Sequence, residues 1–161
     1  MMKTAITDFA RRFGARIDLV ERLIVSRKNR HYLVNSVLTQ LLRKDFYYAG
    51  IYLGKTKDAK FFPSFGLLSM ISKTNANRIV VDAKTAWLFV CGRDIFKTGV
   101  VQASGSRKKD AQVLVLNEND ECLGFGKILH NLDKTKTQVV IKNILDIGDF
   151  LRRERHARTD G

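Results

Sequence analysis

The feature that most constrains the fold is a series of short β-rich runs in the second half of the chain. Val100-Val101 and residues 113–116, 122–129 and 139–144 are each too short for an ordinary helix, and they are rich in β-branched and apolar residues. Between them stand Ser104-Gly105-Ser106, residues 117–120 and residues 131–134, whose Gly, Ser, Asn and Asp content marks turns. Short strands at regular spacing bury their apolar faces by closing on one another, so this region is expected to form a small β-barrel. Just ahead of it, residues 86–90 read as a further strand, and residues 92–99 as a short helical turn bracketed by Gly92 and Gly99.

The first part of the chain has a different character. Residues 7–13 suit a short basic amphipathic helix, with Thr4 or Thr7 as cap and Gly14 as its end. Residues 19–25 and 31–34 read as two strands of a hairpin around the basic turn Arg27-Lys28-Asn29-Arg30. Ser36 is placed to cap a helix in which Val37, Leu38, Leu41 and Leu42 recur at helical spacing, with Arg43 and Lys44 in its last turn. Residues 50–56 return to a strand. Pro63 suits the first turn of a helix through Leu67, Leu68 and Ile71, and residues 78–81 are a short strand. The fold class is therefore α+β. An N-terminal α/β domain with a small, mostly antiparallel sheet is expected over residues 1–83, and a β-barrel domain over residues 84–161.

Charge narrows the function. The chain has 161 residues, of which 45% are apolar, enough to bury a core. Its 29 Lys and Arg against 16 acids leave a net charge of +13. A field of that sign draws phosphate polyanions or anionic membrane surfaces. No run approaches the roughly 18 apolar residues of a spanning helix, and residues 1–16 lack the apolar stretch of a signal peptide. An intracellular protein without a membrane partner is expected. Cys91 and Cys122, far apart and flanked by apolar residues, read as buried free thiols. The excess charge is uneven: residues 1–82 hold 15 basic and 6 acidic side chains, net +9, and the remainder is +4.

Enzymatic motifs are not positively indicated. Residues 49–56 loosely match a phosphate-binding loop, and residues 78–82 resemble an apolar strand ending in a magnesium-binding Asp. Such a loop must open a helix, whereas Ile51-Tyr52-Leu53 is bulky and β-prone and Pro63 follows closely. Gly124-Phe125-Gly126 begins like a dinucleotide fingerprint but lies within a strand pattern, which points to a bulge or a close approach of backbones. His31, His130 and His156 lack metal-ligand spacing, and Glu118, Asp120 and Glu121 read as a solvated turn. No cofactor, metal or catalytic residue is expected. Two segments suit binding. Residues 146–158 carry four arginines in seven positions, Arg152, Arg153, Arg155 and Arg158, whose guanidinium forks match phosphates and stack on bases. Residues 92–100 offer Arg93 and Lys97 beside Gly99, where a backbone could approach closely.

The stretch from Ala86 to Val101, with Trp87-Leu88-Phe89-Val90-Cys91-Gly92-Arg93 and a closing Gly99-Val100 step, resembles the start of a PUA domain, an RNA-binding module. The strand with Gly124-Phe125-Gly126-Lys127 and the ending Asp146-Ile147-Gly148 match its later landmarks. With the α/β domain placed before it, the chain resembles the Nip-seven-like ribosome biogenesis factors of archaea and eukaryotes. The resemblance implies a non-catalytic protein of large-subunit assembly and pre-ribosomal RNA processing. It would bind RNA through Arg93, Lys97, Thr98, Gly99, Lys127, Arg152, Arg153, Arg155 and Arg158. The N-terminal domain would dock other ribosome-assembly proteins or add RNA surface. Location would be cytoplasmic in an archaeon and nuclear or nucleolar in a eukaryote. The alternative is an RNA-modification enzyme of the PUA-containing class, or its targeting subunit.

Overall fold

The computed structural model describes residues 2–20, 23–43, 45–134, 138–149 and 151–152. The first sheet is wholly antiparallel in the order β1 (Ile24–Arg27), β2 (Arg30–Leu33), β3 (Ile51–Lys57), β4 (Lys60–Pro63). Its two tight turns are set by pairs of residues at positive φ, Lys28-Asn29 and Asp58-Ala59, the geometry that matches the twist of a hairpin. Helices α1 (Met2–Arg11), α2 (Ser36–Leu41) and α3 (Phe65–Ser72) precede, interrupt and follow this sheet.

The second sheet has six strands: β5 (Arg78–Val81), β6 (Ile95–Phe96), β7 (Val100–Ser104), β8 (Gln112–Leu116), β9 (Cys122–Ile128) and β10 (Val139–Asp146). Their order is β6-β10-β9-β8-β5-β7. All pairs are antiparallel except β5 with β8. The sheet thus takes in β5, on the N-terminal side of the expected division at residue 83, and curls into a half-barrel. The expected mixed α+β class, with a small antiparallel sheet followed by a curled sheet in a half-barrel, is the observed fold. Gly124 is the bulge the sequence suggested: it has φ +149°, a Cβ there would collide with the Leu145 carbonyl, and the ladder shifts register on both sides.

Helix α1 joins the two sheets. Ile6, Phe9, Ala10 and Phe13 recur at helical spacing and are all buried. Phe9 meets Phe61 of β4 and Phe125 of β9 edge-on, each at 5.8 Å between ring centroids, and Phe13 meets Phe125 at 5.3 Å. Leu53, Leu67, Leu68, Ile71, Leu114 and Leu116 complete this core. A second core inside the half-barrel holds Ile79, Phe89, Ile95, Val115 and Ile141.

Several local expectations are corrected. Residues 86–90 belong not to a strand but to helix α4 (Ala83–Val90), because Asp82 caps it: its carboxylate accepts the Thr85 N–H at 2.7 Å. Residues 92–99 are not one helical turn. They comprise β6, which pairs with β10, and a 3-10 turn at Lys97–Gly99. Pro63 ends β4, and Ser64 caps α3 instead. Asn35, not Ser36, caps α2, whose Val37 and Leu41 are exposed. Helix α1 begins at Met2, and the first strand only at Ile24. Gly54-Lys55-Thr56 lies inside β3, paired on both sides, with no phosphate loop around it. Both cysteines are free, but Cys91 is exposed; Cys122 is the shielded one, and burial pushes its thiol up to about 11.

Candidate nucleic-acid interface

Helix α4 turns Phe89 into the half-barrel core and leaves Lys84, Trp87, Leu88 and Cys91 outside. Trp87 is 68% exposed, unusual for the largest side chain in the protein. In β6 the alternation of a strand buries Ile95 and sends Phe96 outward. Between the end of α4, β6 and β10 lies a cleft of about 570 Å³ lined by Leu88, Gly92, Arg93, Asp94, Phe96, Val139 and Lys142. Its walls combine apolar surface with two cations and one carboxylate. Lys142 Nζ stands 4.0 Å from Asp94, and the carboxylate of Asp94 also accepts the Asn143 N–H at 2.8 Å.

The Asp146-Ile147-Gly148 ending closes this region mechanically. The Asp146 carboxylate is buried and accepts from Asn143 Nδ2, from the Asp149 N–H at 2.8 Å and from Arg152 Nη2 at 3.2 Å. Arg152 Nη1 donates to the Val90 carbonyl at 2.9 Å, satisfying an orphan acceptor at the end of α4. Gly148 abuts that same carbonyl so closely that a Cβ would collide with it. The motif therefore fastens the chain after β10 to the helix that carries Trp87. The Asn143 amide adds a bond to the Phe89 carbonyl at 2.9 Å.

The anticipated binding residues divide into three groups. Arg93 lines the cleft, and Lys97 and Thr98 lie exposed on the adjoining 3-10 turn. Lys127 stands directly opposite Lys142 across β9 and β10 and reaches Asp110 at 3.5 Å. Both members of that ion pair are exposed, so it is worth at most about 1 kcal/mol and an incoming phosphate can displace it. Gly99 and Arg152 are engaged within the fold. Gly99 is buried, its φ is not positive, and a Cβ there would strike the Thr85 hydroxyl of α4. Arg153, Arg155 and Arg158 lie outside the described residues. Three exposed residues of this face were missing from the sequence reading: Trp87, Phe96 and Lys142. The outward alternation of Lys142 and Ile144 in β10 is a signal that was available; the exposure of Trp87 was not, because it depends on α4 being a helix.

Among the described residues no helix is long and apolar enough to cross a membrane, and no cluster of His, Cys, Asp and Glu is placed to hold a metal ion.

Residues 77–155 match the model of the UPF0113 PUA domain. A UPF0113 protein of Archaeoglobus fulgidus is 29% identical over 113 residues, 68% of this chain and 64% of that protein, so the match spans just under two thirds of that relative's length. The 60S ribosome subunit biogenesis protein NIP7 of Saccharomyces cerevisiae is 29% identical over 126 residues, 75% of this chain and 70% of that protein. Among solved structures, a conserved PUA domain protein from Thermoplasma acidophilum superposes with a TM-score of 0.62 at 19% identity, covering 95% of this chain and 93% of that one; at this identity the likeness is one of fold.

Proposed function

Because residues 77–155 belong to the UPF0113 PUA domain family, we propose that this protein binds RNA, ribosomal RNA or its precursors, as a non-catalytic factor of large ribosomal subunit assembly. The observation that carries the reading is the cleft at the end of α4, with Arg93, Phe96 and Lys142 in its walls, together with the exposed Trp87 on that helix. Cations meet phosphates there, and exposed aromatic rings offer stacking surfaces to unpaired bases. The yeast relative's name supplies the ribosomal context. Single-stranded or looped RNA suits such a face, because bases held in a duplex present no ring surface to Trp87 or Phe96. Arg153, Arg155 and Arg158 extend the same basic end by composition.

The test is fluorescence anisotropy with a labelled oligouridine of about 30 nucleotides, several times the span of one small binding module. Wild type is compared with an Arg93→Ala/Lys97→Ala/Lys142→Ala variant at two salt concentrations. The variant is expected to bind at least about tenfold more weakly at low salt, and with a shallower dependence on salt, since each lost phosphate contact removes about 0.7 from the slope. Wild-type protein that fails to bind even at low salt ends the RNA reading.

A further inference from the structure

The first sheet presents a row of cations that the cleft does not use. Arg27 of β1 stands directly opposite Arg30 of β2, Arg30 opposite Lys55 of β3, and Lys55 opposite Phe62 of β4. Residues paired this way share one face of a sheet, about 5 Å apart. The other face is accounted for: His31 bonds Ser26 and Thr56 there, and Leu53 enters the core. Like charges in directly opposed positions repel and weaken a sheet, yet no ion pair among the described residues involves Arg27, Arg30 or Lys55. On the cleft side, by contrast, Lys127, Lys142 and Arg152 each have a carboxylate partner. Three unneutralised cations in line, at a cost to the sheet, call for an anion from outside.

The next row along the same face is aromatic. Tyr32 stands opposite Val25 and Tyr52. Phe46 and Tyr48 lie over Tyr32 at 5.7 and 5.1 Å between ring centroids, and the Arg27 guanidinium sits 6.0 Å from the Phe46 ring. Burial raises the Tyr52 hydroxyl above its ordinary range, opposed by the field of Arg30. At the margin of this packed cluster Tyr47 is 82% exposed and Tyr48 59%, while Phe62 ends the cationic row half in solvent.

We propose that this face of the first sheet is a second RNA contact surface, in which Arg27, Arg30 and Lys55 receive the phosphates of a single strand and Tyr47, Tyr48 and Phe62 its bases. A row of phosphate-binding cations beside exposed rings is the chemistry by which single strands are held without sequence readout. The proposal rests on the protein being an RNA binder, and it assigns the +9 charge of residues 1–82 a place to act.

The experiment uses the intact chain and the same oligouridine, with 4-thiouridine introduced for photocrosslinking. Arg30→Glu turns the row into alternating charges. It is expected to keep or raise the melting temperature while weakening RNA binding about fivefold or more and flattening the salt slope. Tyr47→Ala, at a position that touches little else, is expected to weaken binding several-fold with the salt slope unchanged. Crosslinks should fall within residues 43–62 as well as near Trp87 and Phe96. Full affinity in both variants, with crosslinks confined to the second half, overturns the proposal and leaves this face to a protein partner. In that event, loss of binding by the Arg93/Lys97/Lys142 variant alone keeps the RNA reading intact. A wild type that binds no oligouridine overturns both.

Discussion

Glycine in a nucleic-acid-binding loop suggests a backbone left bare for a phosphate, but Gly99 has a different reason to be small. It is packed under α4, where an added Cβ would meet the Thr85 hydroxyl and methyl. Thr85 cannot easily withdraw, because its N–H is held by Asp82 at 2.7 Å. Gly99→Ala is therefore expected to destabilise the protein by about 1–3 kcal/mol, the usual cost of overpacking a well-filled site. Thr85→Ala should recover part of that loss in the double variant, since it removes the hydroxyl and the methyl but leaves the Cβ. Urea unfolding of the two single variants and the double gives the coupling. RNA affinity measured below the unfolding transition should stay near wild type. Weakened binding without any loss of stability would instead return Gly99 to the interface.

At the level of elements, α4 shows where sequence reasoning reached and where it stopped. Strands β7 to β10 were legible because they are short β-prone apolar runs and turn residues punctuate each of them. Residues 86–90 are equally apolar and contain Trp, Phe and Val, all at home in a strand. What makes them helical is a single side chain upstream: the Asp82 carboxylate, held below its ordinary range by the Thr85 N–H that it accepts. The same error concealed the exposure of Trp87 and the Leu88 wall of the cleft, because the two adjacent residues can both lie outward only at helical spacing. The Asp146-Ile147-Gly148 ending was recognisable as a motif, yet its work of fastening Val90 through Gly148 and Arg152 lies in contacts across more than 50 residues. Asp82→Ala should cost about 1 kcal/mol, as loss of an N-cap does, and Asp82→Asn only a fraction of that, because Asn also caps well. Thermal unfolding followed by circular dichroism separates the two. Equal losses in both variants would mean that the charge of Asp82, rather than its cap, stabilises α4.

For the molecule as a whole, the question is whether the two sheets unfold together. Their sequences differ in character and their strands do not pair, yet one core runs through both. Phe125 of β9 packs edge-on against both Phe9 of α1 and Phe13 just beyond its end, in one core with Leu114 and Leu116, and Phe9 also meets Phe61 of the first sheet. Truncating a buried phenylalanine costs about 3–5 kcal/mol, a large fraction of the 5–15 kcal/mol that holds a typical domain together. If that core couples the sheets, Phe125→Ala lowers the stability of both by the same amount. The chain provides its own reporters. All four tyrosines, Tyr32, Tyr47, Tyr48 and Tyr52, are in the first sheet region, and the one tryptophan, Trp87, is on α4 of the second. Tyrosine signals in near-ultraviolet circular dichroism and Trp87 fluorescence should therefore trace one coincident urea transition in the wild type, the signature of two-state behaviour. In Phe125→Ala both should move together to lower denaturant. A tyrosine transition that stays in place while the tryptophan transition moves would show that α1 belongs energetically to the first sheet alone, and that the two RNA-facing surfaces sit on independently stable units.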